Sequence, residues 1–189
     1  MFGRLTAHPG DSDAAARAAA AWQQAGQWRK TQQALEYQQT LEPVQPPAFH
    51  LRRAEAAFMA CDCVTVLQVL AVPASHGPYA TPGAHFQRGV CLLRRGDATA
   101  GAAELARIHK RGDRVSRQAL EDSVGLETLQ AAMAQEPALR AWYHTLPTGP
   151  PARPVMTPPC DAPLEDLPFR PAGPGMEGGT PQPSSPAPP

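Results

Sequence analysis

Small and apolar positions recur along this chain every 35 residues, and turn-forming positions recur with them. Ala19, Ala54 and Gly89 share one phase; Trp22, Ala57 and Leu92 share a second; Leu35, Leu70 and Leu105 share a third. Gly26, Cys61 and Gly96 fall where a turn is needed, and Thr31, Val66 and Gly101 follow five residues later. Pro43 and Pro78 close the first two units, while Asp113 occupies the third slot. A fixed period of roughly 20–50 residues marks a solenoid, whose units bury apolar faces against one another.

Within each unit the pattern predicts two helices. The first opens at Asp11 or Ser12, whose side-chain oxygen can accept an orphan amide bond, and runs through Ala14–Ala25. Gly26 breaks it, Trp28–Leu41 returns, and Pro43, Pro46 and Pro47 stop further growth. In the second unit Ala48–Ala60 is followed by a turn at Cys61–Asp62 and then by Val64–Ala71. Valines suit strands as well as helices, and it is the 35-residue phase that selects a helix there.

The third unit places Phe86, Gly89, Val90, Leu92 and Leu93 on its first helix, turns at Gly96–Asp97, and returns over Ala98–Ile108. Arg114–Val124 and Leu126–Gln135 then form a last hairpin or one broken helix. Ala138–Leu146, opened by Pro137, caps the stack with Trp142. The expected architecture is all-α: an antiparallel helix-hairpin solenoid over residues 12–146. Residues 1–11 are expected to be flexible, and residues 147–189 to form a disordered proline-rich tail.

Composition supports that division. Of 23 prolines in 189 residues, 15 lie from Pro147 onward, where too few aliphatic side chains remain to offset the entropy of ordering. Much of the 42% hydrophobic content is alanine, which suits closely packed helices. Net charge is zero, so the whole chain is not steered toward nucleic acid or anionic lipid. Arg88, Arg94, Arg95, Arg107, Lys110, Arg111, Arg114 and Arg117 nevertheless gather around the third unit. The opening MFGRLTAHPG lacks the apolar core of a cleavable leader, and no apolar run approaches a membrane span.

The candidate chemistry is sparse. Cys61 and Cys63 stand in C-x-C spacing, Cys91 on an apolar helix position and Cys160 in the tail, which reads as reduced thiols. The six histidines form no HExxH and no zinc-finger spacing, and no phosphate loop or G-x-S-x-G elbow occurs. Glu55 and Glu104 read as helix-surface carboxylates. Two Arg-Gly-Asp triplets, 95–97 and 111–113, fall at predicted turns, where Gly and Asp have local structural uses. No cofactor or metal is expected.

The segments AAAAWQQAGQWRKTQQALEYQQTLEP and HFQRGVCLLRRGDATAGAAELARI resemble the tetratricopeptide repeat family over about residues 12–113. That family has small residues near positions 8 and 20 of each unit, a large one near 11, and proline near the end. The middle unit departs from it, with Ala57 in the aromatic slot and Cys61 in the glycine slot; Thr31 and Val66 also replace alanine. The expected function is a non-catalytic adaptor, placed in the cytoplasm by its reduced thiols, that binds a protein or acidic peptide chiefly on the first helix of each unit. His50, Arg53, Gln87, Arg88 and Arg94 are the candidate contacts. A regulatory subunit of a larger assembly is the alternative, ahead of a small enzyme; nucleic acid is disfavoured. In the tail, LEDLPF at 164–169 reads first as a chance cluster in a disordered stretch, and second as a segment that could recruit another partner or occupy the groove.

Overall fold

The structure, a computed structural model, describes residues 11–71, 77–109, 115–148 and Cys160, with the side chain of His109 excepted. These residues form helices and no strand. The order is α1 (Ser12–Gln24), α2 (Trp28–Leu41), α3 (Pro47–Met59), α4 (Cys63–Val69), α5 (Pro82–Arg94), α6 (Ala98–His109), α7 (Arg117–Val124), α8 (Leu126–Gln135) and α9 (Pro137–Thr145). The first helices of the three units begin at 12, 47 and 82 and end at 24, 59 and 94; the return helices begin at 28, 63 and 98. Every one of these boundaries advances by 35 residues.

The turns explain that regularity. Gly26, Cys61 and Gly96 all take positive φ, at 69°, 62° and 83°. In each turn the following amide donates back to the first helix: Gln27 to Trp22 at 2.9 Å, Asp62 to Ala57 at 2.8 Å and Asp97 to Leu92 at 3.0 Å. This is the left-handed closure that satisfies orphan carbonyls at a helix end. Asp62 and Asp97 then cap the return helices, accepting from the amides of Thr65 and Ala100 at 3.0 Å each. Asp11 caps α1 through Ala14, as its position predicts.

Packing follows the small-residue phase. Ala19, Thr31, Ala54 and Val66 are fully buried. In the third hairpin, glycine on both helices brings the backbones closest. A Cβ at Gly89 would lie 2.7 Å from Leu105 Cγ, and one at Gly101 would lie 2.7 Å from Leu93 Cδ2. The core falls into two clusters, and α3 contributes to both. Phe49 and Ala56 pack with α1 and α2, whereas Ala54, Ala57 and Phe58 join the core of units two and three. Phe58 meets Phe86 of α5 edge-on at 6.2 Å.

Three expectations are adjusted by the structure. The ambiguous Val64–Ala71 segment is a helix, but a short one: α4 has seven residues where α2 has fourteen and α6 twelve. The third-unit tail resolves into separate helices, since Gly125 at φ 87° divides α7 from α8. Arg117 ties the terminal helices together, donating to the carbonyls of Tyr143 and His144 at 3.2 and 2.7 Å across the end of α9. The largest correction concerns the cysteines. Cys63 bonds to Cys91 and Cys61 bonds to Cys160, so the expected reduced thiols are two disulfides. C-x-C spacing does not reveal this, because Cys91 is brought up by the packing of α5 on α4 and Cys160 lies 99 residues from its partner. The expectations for residues 1–10 and for the tail beyond Thr148, LEDLPF included, lie outside the described residues apart from Cys160.

Candidate functional site

Residues 29, 32, 33 and 36 are spaced to share one stripe of α2, offset from the buried Thr31 and Leu35. Arg29, Gln32, Gln33 and Glu36 form one wall of an open cleft of about 500 Å³, and Ala60, Cys61, Asp62 and Cys160 form the other. The cleft therefore lies where the return helix of unit one meets the turn of unit two.

Its carboxylates are already engaged. Gln32, nearly buried, donates to Glu36 at 3.1 Å and to Asp62 at 2.7 Å. Arg53 places a guanidinium nitrogen 3.8 Å from Glu36 and donates to Gln39 from the same side chain. Asp62 also accepts from the Thr65 hydroxyl at 2.6 Å. Burial pushes the Asp62 carboxyl up, but hydrogen bonds from the Thr65 side chain and amide, Gln32 and the Val64 amide outweigh it and hold the group below the usual carboxylate range. Arg29 differs: it is exposed and makes no ion pair with another described residue. The cleft thus offers a cation and the Gln33 amide beside carboxylates already held by hydrogen bonds and, for Glu36, by Arg53.

A second polar cluster is buried in the third hairpin. Glu104, expected on a helix surface, is only 7% exposed, while Glu55 is exposed as expected. Glu104 lies 2.8 Å from His85 Nδ1, 3.4 Å from Arg88 Nε and 3.2 Å from an Arg107 guanidinium nitrogen. Arg88 also donates to the carbonyl of Leu70 at the end of α4. The repeat register explains its orientation. Arg53 and Arg88 are 35 residues apart, and Arg53 reaches side chains on the long α2; α4 is too short to offer them, so Arg88 takes the helix-end carbonyl of Leu70.

The five sequence-selected contacts are therefore distributed. His50 is half-buried, with its ring 5.7 Å from Phe49 and 6.1 Å from Tyr79. Gln87 is half-buried on α5, and Arg88 is held by Glu104 and Leu70. Arg53 supports the cleft from behind Glu36, and Arg94 donates to the Cys160 sulfur at its rim. Sequence reasoning passed over Arg29, Gln32, Gln33 and Glu36, although their spacing as a polar stripe on α2 is readable. What it lacked was the neighbouring turn that closes the cleft.

Other motifs are absorbed by the fold. The carboxylate of Asp97, in the first Arg-Gly-Asp triplet, caps α6; the triplet at 111–113 lies outside the described residues. Among the described residues, no three His, Cys, Asp or Glu side chains are grouped to hold a metal, and no helix is long and apolar enough to cross a membrane. No protein-family model, curated protein or solved structure matches the chain. What stands is an all-α arrangement of helix-hairpin repeats, solenoid-like in its stacking.

Proposed function

We propose that the chain is a non-catalytic adaptor whose repeats hold a binding cleft for an extended, carboxylate-bearing peptide of a partner protein. The observation that carries this reading is the exposed Arg29 beside Gln33 in an open cleft whose own carboxylates are satisfied from behind. Such a cation can orient a peptide carboxylate through charge-assisted hydrogen bonds, while Gln33 meets peptide backbone groups. Helix stacking fixes the cleft walls in advance, which lowers the ordering cost of binding. The two disulfides remove the cysteine argument for a cytoplasmic setting and favour an oxidising or redox-variable one.

The test is a peptide array probed with the full chain, comparing acidic peptides with their Asn/Gln counterparts. Selective capture of the acidic members, reduced about tenfold by Arg29→Glu with the helical circular dichroism unchanged, is the expected result. Capture indifferent to Arg29→Glu rejects the cleft. No capture, together with purification in fixed stoichiometry with another chain, favours a permanent subunit instead.

A further inference from the structure

The two disulfides differ in situation. Cys63–Cys91 joins the first residue of α4 to α5, and Cys91 is fully buried. Cys61–Cys160 lines the cleft, with Cys160 exposed and Cys61 half-buried. Cys61 is also the one non-glycine residue at positive φ among the described residues, in the turn slot that Gly26 and Gly96 fill in the other two units. That backbone region favours glycine, so a cysteine there runs against local preference, and its bond is its evident use. Arg94 donates to the sulfur of Cys160, which places a cation on one end of this bridge.

We infer that Cys61–Cys160 is a thiol-exchange site, at which the cleft takes a cysteine-bearing acidic peptide and joins it to Cys61 as a mixed disulfide. This inference deepens the peptide-binding reading of that cleft and rests on it. Arg29 and Gln33 line the same cleft as Cys61, so a carboxylate held by Arg29 keeps the thiol of a neighbouring peptide residue beside the bridge. A cleft of about 500 Å³ is of the size that holds a few residues of peptide. Glu36 and Asp62 do not repel it unopposed, because Arg53, Gln32 and Thr65 already hold them. A docked thiol reacts from a fixed position rather than by random encounter, which raises its effective concentration at the bridge.

The peptide thiol loses its proton to solvent, and its thiolate attacks Cys61 Sγ. A sulfur–sulfur bond forms between peptide and Cys61 as the Cys61–Cys160 bond breaks. The electron pair of the broken bond leaves on Cys160 as a thiolate, which the Arg94 guanidinium stabilises and which then takes a proton from water. One disulfide and one thiol enter, and one disulfide and one thiol leave, so no other oxidant or reductant is needed. Arg94 thereby selects the sulfur that is attacked: Cys160 is the better leaving group, and the adduct falls on Cys61. Cys63–Cys91 is spared, because Cys91 is closed to solvent and neither of its cysteines lines the cleft.

The experiment treats the full oxidised chain with a Glu-Cys-Glu or a Gln-Cys-Gln tripeptide, both with blocked termini, and quenches with iodoacetamide before mapping by mass spectrometry. Rates are normalised to those of the same peptides with a small linear disulfide, which removes differences in thiol acidity. The Glu peptide is expected to modify Cys61 about tenfold faster than the Gln peptide, with Cys160 alkylated. Arg29→Glu is expected to abolish that preference with the helical circular dichroism unchanged. Arg94→Gln should slow both peptides and divide the adduct between Cys61 and Cys160; an unchanged rate and adduct there overturn the part given to Arg94. Equal rates for the two peptides, while the array keeps its Arg29-dependent capture, overturn the exchange site and leave the cleft reading intact. Equal rates with no array capture overturn both readings. An adduct chiefly on Cys160, Cys63 or Cys91 of the wild-type chain, or none at all, overturns the assignment of Cys61.

Discussion

Asp62 carries two duties with one carboxylate. It caps α4 and, through Gln32, fixes the wall of the cleft. Its carboxyl is held below the ordinary value, so its stabilisation is present above the unfolded value of 3.8 and is lost as pH falls through the lower folded value. Acid titration followed by circular dichroism should show this as a loss of stability below about pH 4, smaller in Asp62→Asn. Asp62→Ala should lose about 1–2 kcal/mol at neutral pH in chemical denaturation, the usual cost of a missing cap. Glu104 is the harsher case. Glu104→Gln leaves His85 and two arginines around a neutral amide in a nearly closed site, and should cost about 3 kcal/mol or more by the same measurement. Neither its burial nor most of its partners can be read locally, because two of the three, His85 and Arg88, come from α5.

The third hairpin shows what the small-residue phase does at the level of an element. Gly89 and Gly101 are each unfavourable in a helix by about 1 kcal/mol relative to alanine. Their placement lets Leu93 and Leu105 lie across the opposite backbone, each fully buried. Gly89→Ala would gain helix propensity but force Leu105 and the Gly101 carbonyl away; a net loss of about 1–2 kcal/mol is expected in urea denaturation. Gly101→Ala should behave alike through Leu93. The pair should couple, because displacement of one helix by either alanine relieves the other contact. A gain in stability from either single variant would contradict the close approach. The short α4 has the opposite lesson: it ends at Val69, two residues before the expected Ala71, and the carbonyl of Leu70 at that end is where Arg88 points.

Across the whole molecule, the Cys63–Cys91 bridge joins the second and third units over a separation of 28 residues. Closing a loop of that length restricts the unfolded chain, so Cys63→Ala with Cys91→Ala should lower stability by about 2–4 kcal/mol. Thermal unfolding under non-reducing conditions measures it, and the same loss should appear in wild type once reductant opens that bridge. The repeats on either side share α3 and the Phe58–Phe86 contact, so the loss should reach both units. A midpoint unchanged by the double substitution would mean that stacking alone fixes the two units.

The recurrence of small residues, turn residues and prolines was enough to determine the all-α class, the hairpin boundaries and the stacking period. Those features depend on local helix propensity, left-handed turn positions and apolar spacing, all of which are written along the chain. The tertiary structure decided what meets across the repeats and their helices: Cys61 with Cys160, Cys63 with Cys91, Glu104 with His85 and Arg88, and the α2 stripe with the next turn. Each of these contacts joins segments distant in sequence, and those between helices follow from helix length and packing, which no local pattern specifies.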